Sequence, residues 1–218
     1  MSFDKVMKKR IMMSFLGVII LAFSVSLLKI STFGIDPFQT FVSGLDKLIP
    51  ISFGTLYVIV NVVLLLFALI FDKHYIGFAT FVNLFLLGYL IEFFVHVFSS
   101  IIVDPSLMIR IILLLSSILI ICFGSSLYIT ADLGVSTYDA ISLIISNTFK
   151  KGEFKIIRII TDLICVLVGL FLFIITKTSF KEIFSIIGLG TIITAFFMGP
   201  LIDYFNKKVS EPFLNKEI

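Results

Sequence analysis

Two octamers one hundred residues apart constrain this chain more than any other feature. Leu133-Gly134-Val135-Ser136-Thr137-Tyr138-Asp139-Ala140 is a near-copy of Phe33-Gly34-Ile35-Asp36-Pro37-Phe38-Gln39-Thr40. Each follows a long apolar run and opens a short segment of mixed polarity. Each carries a glycine, a spacer, a helix-capping residue, an aromatic two positions on, and then a polar side chain. A repeat at this scale predicts two homologous halves.

Outside the octamers the apolar residues come in runs of about 20, the length that crosses a ~30 Å hydrocarbon core. Only 14% of the 218 residues are charged and the mean hydropathy is +1.18, whereas soluble domains carry roughly 25% charged residues. An ordinary soluble domain is thereby excluded, and the expected class is an all-α, polytopic membrane protein in the lipid bilayer. The basic start at Lys5, Lys8, Lys9 and Arg10 leads into a run too long for a signal-peptide core. With no small-residue cleavage site, that run should stay as the first span. The net charge of +3 is no nucleic-acid signal, because the basic residues sit in short loops and at helix ends, where they set topology. Cys122 and Cys165 lie inside apolar runs and form no CxxC, so they read as small buried residues.

Six spans are predicted: Ile11–Ile30, Phe53–Phe71, Ile76–Phe98, Ile111–Thr130, Phe154–Thr176 and Ile183–Phe205, the last with a break at Gly199-Pro200. Two amphipathic segments, 36–48 and 136–149, separate the first span from the second and the fourth from the fifth. At 1.5 Å per residue they reach roughly 18–21 Å, too short for a comfortable crossing. They read as half-helices, re-entrant or interfacial; an eight-span alternative, in which both cross, fits the charges about as well. With six spans and the amino end inside, the larger share of Lys and Arg is cytoplasmic, as the positive-inside rule requires. Both termini are then cytoplasmic. The expected organisation is a first repeat over 1–105, a second over 106–205, and a cytoplasmic tail over 206–218.

The repeat extends past the octamers. Tyr57 matches Arg158 and Asn61 matches Asp162; Gly77, Thr80, Gly88 and Glu92 match Gly188, Thr191, Gly199 and Asp203. Three spans per half is an odd number, so the second half inserts upside down, as in many secondary transporters. The run Gly34-Ile35-Asp36-Pro37-Phe38-Gln39, then Phe53-Gly54-Thr55 and Asn83…Gly88…Glu92, resembles the YczE/YyaS/YitT-type bacterial integral membrane protein family. The second-half runs Gly134 to Ala140 and Gly188-Leu189-Gly190-Thr191…Gly199-Pro200-Leu201 resemble it too. The resemblance covers Ile11 to about Phe205. It implies a location in the bacterial plasma membrane and supports the fold; it implies no substrate. Where the family's first-half motif reads Gly-Pro-Trp-Asp, this chain has a neutral Gln39 in the last place.

The octamers have a structural explanation. Asp36 suits an N-cap, Pro37 suits N1, and Gln39 at N3 completes a capping box; Ser136 and Asp139 repeat it. Gly34 and Gly134 supply the dihedrals that reverse the chain. The functional reading is compatible with this one: half-helix N-termini in a membrane present free N–H groups and a positive dipole end. Asp162 lies inside a span, where a carboxylate costs about 2.5–3.5 kcal/mol and must be paired or wetted. Arg158 stands one turn before it, so a structural salt bridge competes with an ion or proton site. Glu92 and Asp203 fall near span ends, where solvation accounts for them. Thr80 and Thr191 are expected to close helix contacts beside Gly77 and Gly188. His74 and His96 have no ligand-spaced partners, so neither a metal nor another cofactor is expected.

HExxH, P-loop, GxSxG and CxxC patterns are absent from the sequence, which argues against an enzyme. The leading expectation is a secondary transporter or permease for a small solute or ion. Asp139, Gln39, Asp162, Asn61 and Arg158 would line its path at the repeat interface. The alternative is a non-transporting scaffold that binds or stabilises a membrane partner, with an intramembrane enzyme a distant third. A homodimer is left open.

Overall fold

The computed structural model describes residues 3–51 and 53–215, with side chains throughout except at Phe3, Asp4, Phe53, Gly54, Glu92 and Ser185. The comparison of Glu92 with Asp203 therefore lies outside the described residues. The described residues are helical and hold no strand. In chain order the helices are α1 (Phe3–Ser31), α2 (Pro37–Leu48), α3 (Phe53–Phe71), α4 (Phe78–Ile101), α5 (Leu107–Ala131), α6 (Thr137–Leu143), α7 (Phe154–Ile175), α8 (Phe180–Ile186), α9 (Leu189–Phe205) and α10 (Glu211–Asn215). A single π-type turn, Ile144–Thr148, extends α6, and another, Asn206–Ser210, joins α9 to α10.

Five helical stretches are long and apolar enough to cross a bilayer: Lys5–Ser31, Phe78–Ile101, Leu107–Ala131, Phe154–Ile175 and Phe180–Asn215. The apolar stretch Thr55–Phe71 of α3 is shorter, reaching roughly 25 Å. The molecule is thus an all-helical, membrane-embedded protein.

The two first helices of the halves, α1 and α5, pack antiparallel along their whole length. A Cβ on Gly17 would lie 2.9 Å from the Gly124 carbonyl, the close approach that small residues permit in lipid. At one end Arg10 Nη1 meets Asp132 Oδ2 at 3.3 Å. At the other, the matching Arg110 donates from Nε to the Ser31 carbonyl at 2.9 Å. Thr32 and Asp132, which end these helices, both take a left-handed turn, with φ of 54° and 55°.

The octamers then dock on the opposite half. Gly190 N–H donates to Phe33 O (2.8 Å), Ile35 N–H to Ile186 O (3.1 Å), and the Thr191 hydroxyl to Ile35 O (2.7 Å). In the mirror arrangement Ala79 N–H donates to Leu133 O (2.9 Å) and Val135 N–H to Tyr75 O (2.9 Å). The first N–H groups of α4 and α9, which no helix can satisfy internally, are thereby answered by the other half's octamer. Gly34 (φ 112°) and Gly134 (φ 101°) make the turn that presents these carbonyls.

One expectation is corrected. The span expected at Ile183–Phe205 is broken at Ile187 and Gly188 rather than at Gly199-Pro200, because Gly188 is extended and serves as the N-cap of α9. Pro200 sits inside an unbroken α9, and Gly199 is instead a packing site: its Cβ would lie 2.7 Å from the Lys155 carbonyl. Thr80 and Thr191 act as caps, each hydroxyl accepting from the N–H of Gly77 (3.2 Å) or Gly188 (3.3 Å). The charged tail also continues the helix, with Ser210 buried and its hydroxyl 2.6 Å from that of Ser126.

A Cβ at Gly77 would fall 2.4 Å from Leu133 O, and one at Gly188 2.1 Å from Phe33 O, whereas none of the described atoms lies within 4 Å of one at Gly88. Gly77→Ala and Gly188→Ala should each lose about 1–3 kcal/mol, the usual range for overpacking. Gly88→Ala should lose nothing. Thermal melts in detergent would check this, and equal melting of the Gly77 and Gly88 variants would contradict the docking.

Candidate functional site

The half-helices meet at their amino ends. Asp36 caps α2 by accepting the Gln39 backbone N–H at Oδ1 (3.0 Å), and Ser136 caps α6 by accepting the Asp139 N–H at Oγ (3.1 Å). Pro37 occupies the first position of α2. The reciprocal half of the expected capping box differs. The Gln39 side chain donates to Asp36 Oδ2, and Asp139 Oδ2 accepts the Ser136 hydroxyl at 2.6 Å. In each case the N3 side chain reaches the cap's side chain rather than its backbone. Phe38 and Tyr138, the repeated aromatics, stack across the junction with ring centroids 4.8 Å apart.

Arg158, near the start of α7, lies beneath this stack. Its guanidinium is 4.5 Å from the centre of the Tyr138 ring. It donates from Nη1 to Asp139 Oδ1 and from Nε to Asp162 Oδ2, the latter at 3.3 Å. The Tyr138 hydroxyl donates to the other Asp162 oxygen at 2.6 Å, and the Cys165 thiol lies 3.5 Å from that hydroxyl. Asp162 is fully buried, and Asp139 and Arg158 are each 5% exposed. Asp36 is half-buried, and its carboxylate is held by Gln39 rather than by Arg158.

Asn61 does not face Asp162 as a hydrogen-bond partner. It accepts from the Thr137 hydroxyl (2.6 Å) and donates to Tyr57 O (2.8 Å). A neutral amide can be satisfied by one hydroxyl and one carbonyl, so it has no demand for the ion pair. The i,i+4 spacing of Arg158 and Asp162 is legible in the sequence. The third partner, Asp139, is not, since it sits nineteen residues away on another helix. Tyr138, Thr137 and Cys165 were also missed. A hydroxyl on only one of the two repeated aromatics was the available signal for Tyr138.

Two carboxylates share one guanidinium, a formal surplus of one negative charge in a buried knot. Such a surplus is costly in low dielectric unless protons or cations offset it. Among the described residues no three His, Cys, Asp or Glu side chains converge as a metal-binding group. The arrangement can therefore exchange protons, or present acid to a cationic group, at the point where the two halves meet.

Ser136 both caps α6 and restrains Asp139, so its substitutions should separate the two roles. Ser136→Ala should cost about 0.5–2 kcal/mol. Ser136→Asn, which keeps a donor and an acceptor, should cost less. Ser136→Asp keeps the cap but sets a second carboxylate against Asp139, and should melt below the Asn variant. Equal melting for Asn and Asp would mean that the contact to Asp139 contributes nothing.

A family of unknown function, DUF6198, matches this chain over residues 8–207. The "Uncharacterized protein YyaS" of Bacillus subtilis (strain 168) is 26% identical over 201 residues, covering 92% of this chain and 94% of that protein. No solved structure matches the chain. The matched residues run from the foot of α1 through α9, including both octamers and the whole buried knot, and the chain belongs to the DUF6198 family.

Proposed function

We propose that this protein is a secondary transporter or permease for a small solute, resident in the bacterial plasma membrane with both termini cytoplasmic. It has six spans in two inverted-topology repeats, with α2 and α6 as re-entrant half-helices. The antiparallel packing of α1 on α5 and the reciprocal docking of the octamers support the inversion. The observation that carries the function is the buried Arg158 shared between Asp139 of a half-helix and Asp162 of a span. An ionic group at the repeat interface beside two half-helix N-termini is where transporters of this architecture place their sites. Gln39 and Asn61 complete the path on the first-half side, and no step of catalysis is assigned.

A scaffold is the second reading, and one observation favours it. Each oxygen of Asp36, Asp139 and Asp162 already has a donor, as in a static structural knot. Asp162→Asn separates the readings. It leaves Arg158 paired with Asp139 and keeps nearly the same volume, so in a transporter the protein should stay folded and uptake into vesicles, screened over a solute panel, should fall at least about tenfold. Arg158→Gln strands two acids and should cost about 3–5 kcal/mol. Removing Asp162 as well does not repair this, because Asp139 still lacks its cation. If Asp162→Asn melts as low as Arg158→Gln and uptake persists in the surviving protein, the knot is structural.

Topology has its own check. Leu48 and Lys150, at the far ends of the two half-helices, are both exposed. Leu48→Cys and Lys150→Cys should take up an impermeant maleimide from opposite faces of the membrane. Labelling from one common face would overturn the inverted repeat.

A further inference from the structure

Each half ends on a pair of long helices, α3 with α4 and α7 with α9, and the two pairs are packed differently. In the second half α9 lies on α7: a Cβ on Gly199 would fall 2.7 Å from Lys155 O and 3.0 Å from Arg158 Cβ. In the first half, α3 and α4 are splayed apart among the described residues. The surface at Gly88, which matches Gly199, is open. α4 leans on α1 instead. The Ser26 hydroxyl lies 3.1 Å from Ile91 O, and Phe23 meets Phe94 and Phe98 edge-on, with centroids 5.7 and 5.2 Å away. Burial follows the packing: Ala195, Met198 and Ile202 of α9 are buried, while their mates Leu84, Leu87 and Ile91 of α4 are only partly so.

Glycine weakens a helix relative to alanine, and in lipid its use is to let a second helix approach closely. At Gly199 that helix is in place. At Gly88 it is missing, and the repeat names it. The helix that covers Gly199 is α7, whose counterpart in the first half is α3.

We propose that in a second state of the protein α3 closes on α4 over Gly88, as α7 closes on α9 over Gly199 here, and that the second half opens as the first closes. The proposal rests on the transporter reading, in which inverted repeats exchange conformations around a site between them. In the present state the closed half supports the knot, since the Arg158 side chain that pairs with Asp139 and Asp162 is the one packed against Gly199. Lifting α7 from α9 withdraws that support, which couples the ion pairs to the exchange.

Cysteine pairs test this without a substrate, in a chain carrying Cys122→Ala and Cys165→Ala. Tyr57→Cys with Gly88→Cys takes the places of Arg158 and Gly199, so closure brings the two Cβ atoms within disulfide reach, roughly 4 Å. Oxidation in membranes should bridge the chain internally, read by peptide mapping. The bridge accumulates even when the closed state is rare, so its absence after prolonged oxidation overturns the proposal. A bridge between two chains through Gly88→Cys alone overturns it too, since a second copy would then be what covers this face. Spin labels give a reading that leaves Tyr57 intact and decide alone should Tyr57→Cys not fold. They are placed at exposed positions, Val58→Cys with Phe93→Cys across α3 and α4, and Ile160→Cys with Tyr204→Cys across α7 and α9. Each pair should show two distances. Gly88→Leu, which fills the gap, should remove the shorter distance of the first pair and the longer of the second. Distributions that Gly88→Leu leaves unchanged overturn the exchange. Two states in a protein that moves no solute in the uptake screen sink the transporter reading and leave the exchange of packing standing.

Discussion

In hydrocarbon, the amino end of every helix is a liability, because its first N–H groups have no water to bond. This chain has several such ends at membrane depth, and the structure depends on how each is answered. The last helix of either half borrows carbonyls from the other half's octamer, through Phe33 and Ile35 on one side and Leu133 and Val135 on the other. The half-helices use their own caps, Asp36 and Ser136. Neither half can therefore complete its own third helix. The two are joined by backbone hydrogen bonds as well as by packing, which is why Gly77 and Gly188 admit nothing larger.

The same economy explains the charged knot. A helix N-terminus attracts negative charge, and here two N-termini converge where Phe38 stacks on Tyr138. Asp36 caps one of them, Asp139 stands in the first turn of the other, and the buried Asp139 needs a counter-ion. Arg158 supplies it, but Asp162 claims the same guanidinium. One cation between two acids leaves the knot with an unmatched negative charge. A purely structural ion pair would be better served by equal numbers, since an unmatched buried charge destabilises whatever holds it.

Much of this was legible before any coordinate. The octamers, the caps at Asp36 and Ser136, and the Arg158–Asp162 pair follow from local spacing, and local spacing is what a sequence displays. The first half-helix follows for the same reason, Pro37–Leu48 against the expected 36–48, whereas the first helix begins at Phe3 rather than Ile11 and the last expected span is broken by a tertiary contact. Pro200 looked like a break, yet α9 passes through it, while the true break at Gly188 exists because the Phe33 carbonyl arrives from a residue more than one hundred and fifty positions away. Asp139 reads from the sequence as the N3 member of the second capping box and as a path residue, but its pairing with Arg158, nineteen positions away, is no local pattern. The repeat pairs Asn61 with Asp162 by position, but a neutral amide and a carboxylate recruit different neighbours: Thr137 meets the one and Tyr138 the other.

That divergence between equivalent positions bears on function. A symmetric scaffold would have little reason to hold an acid and an arginine in one half and an asparagine and a tyrosine in the other, since the polar cost falls on one side alone. In the transporter proposed above, repeats that stay alike in backbone and differ in charge would let the two ends open under different conditions. Differential interaction with two states is the thermodynamic requirement for any directed cycle, because a ligand or proton with equal affinity for both shifts nothing. The chemistry that breaks the symmetry, at Arg158 and Asp162, is therefore where the proposed transporter would hold the difference between its two states.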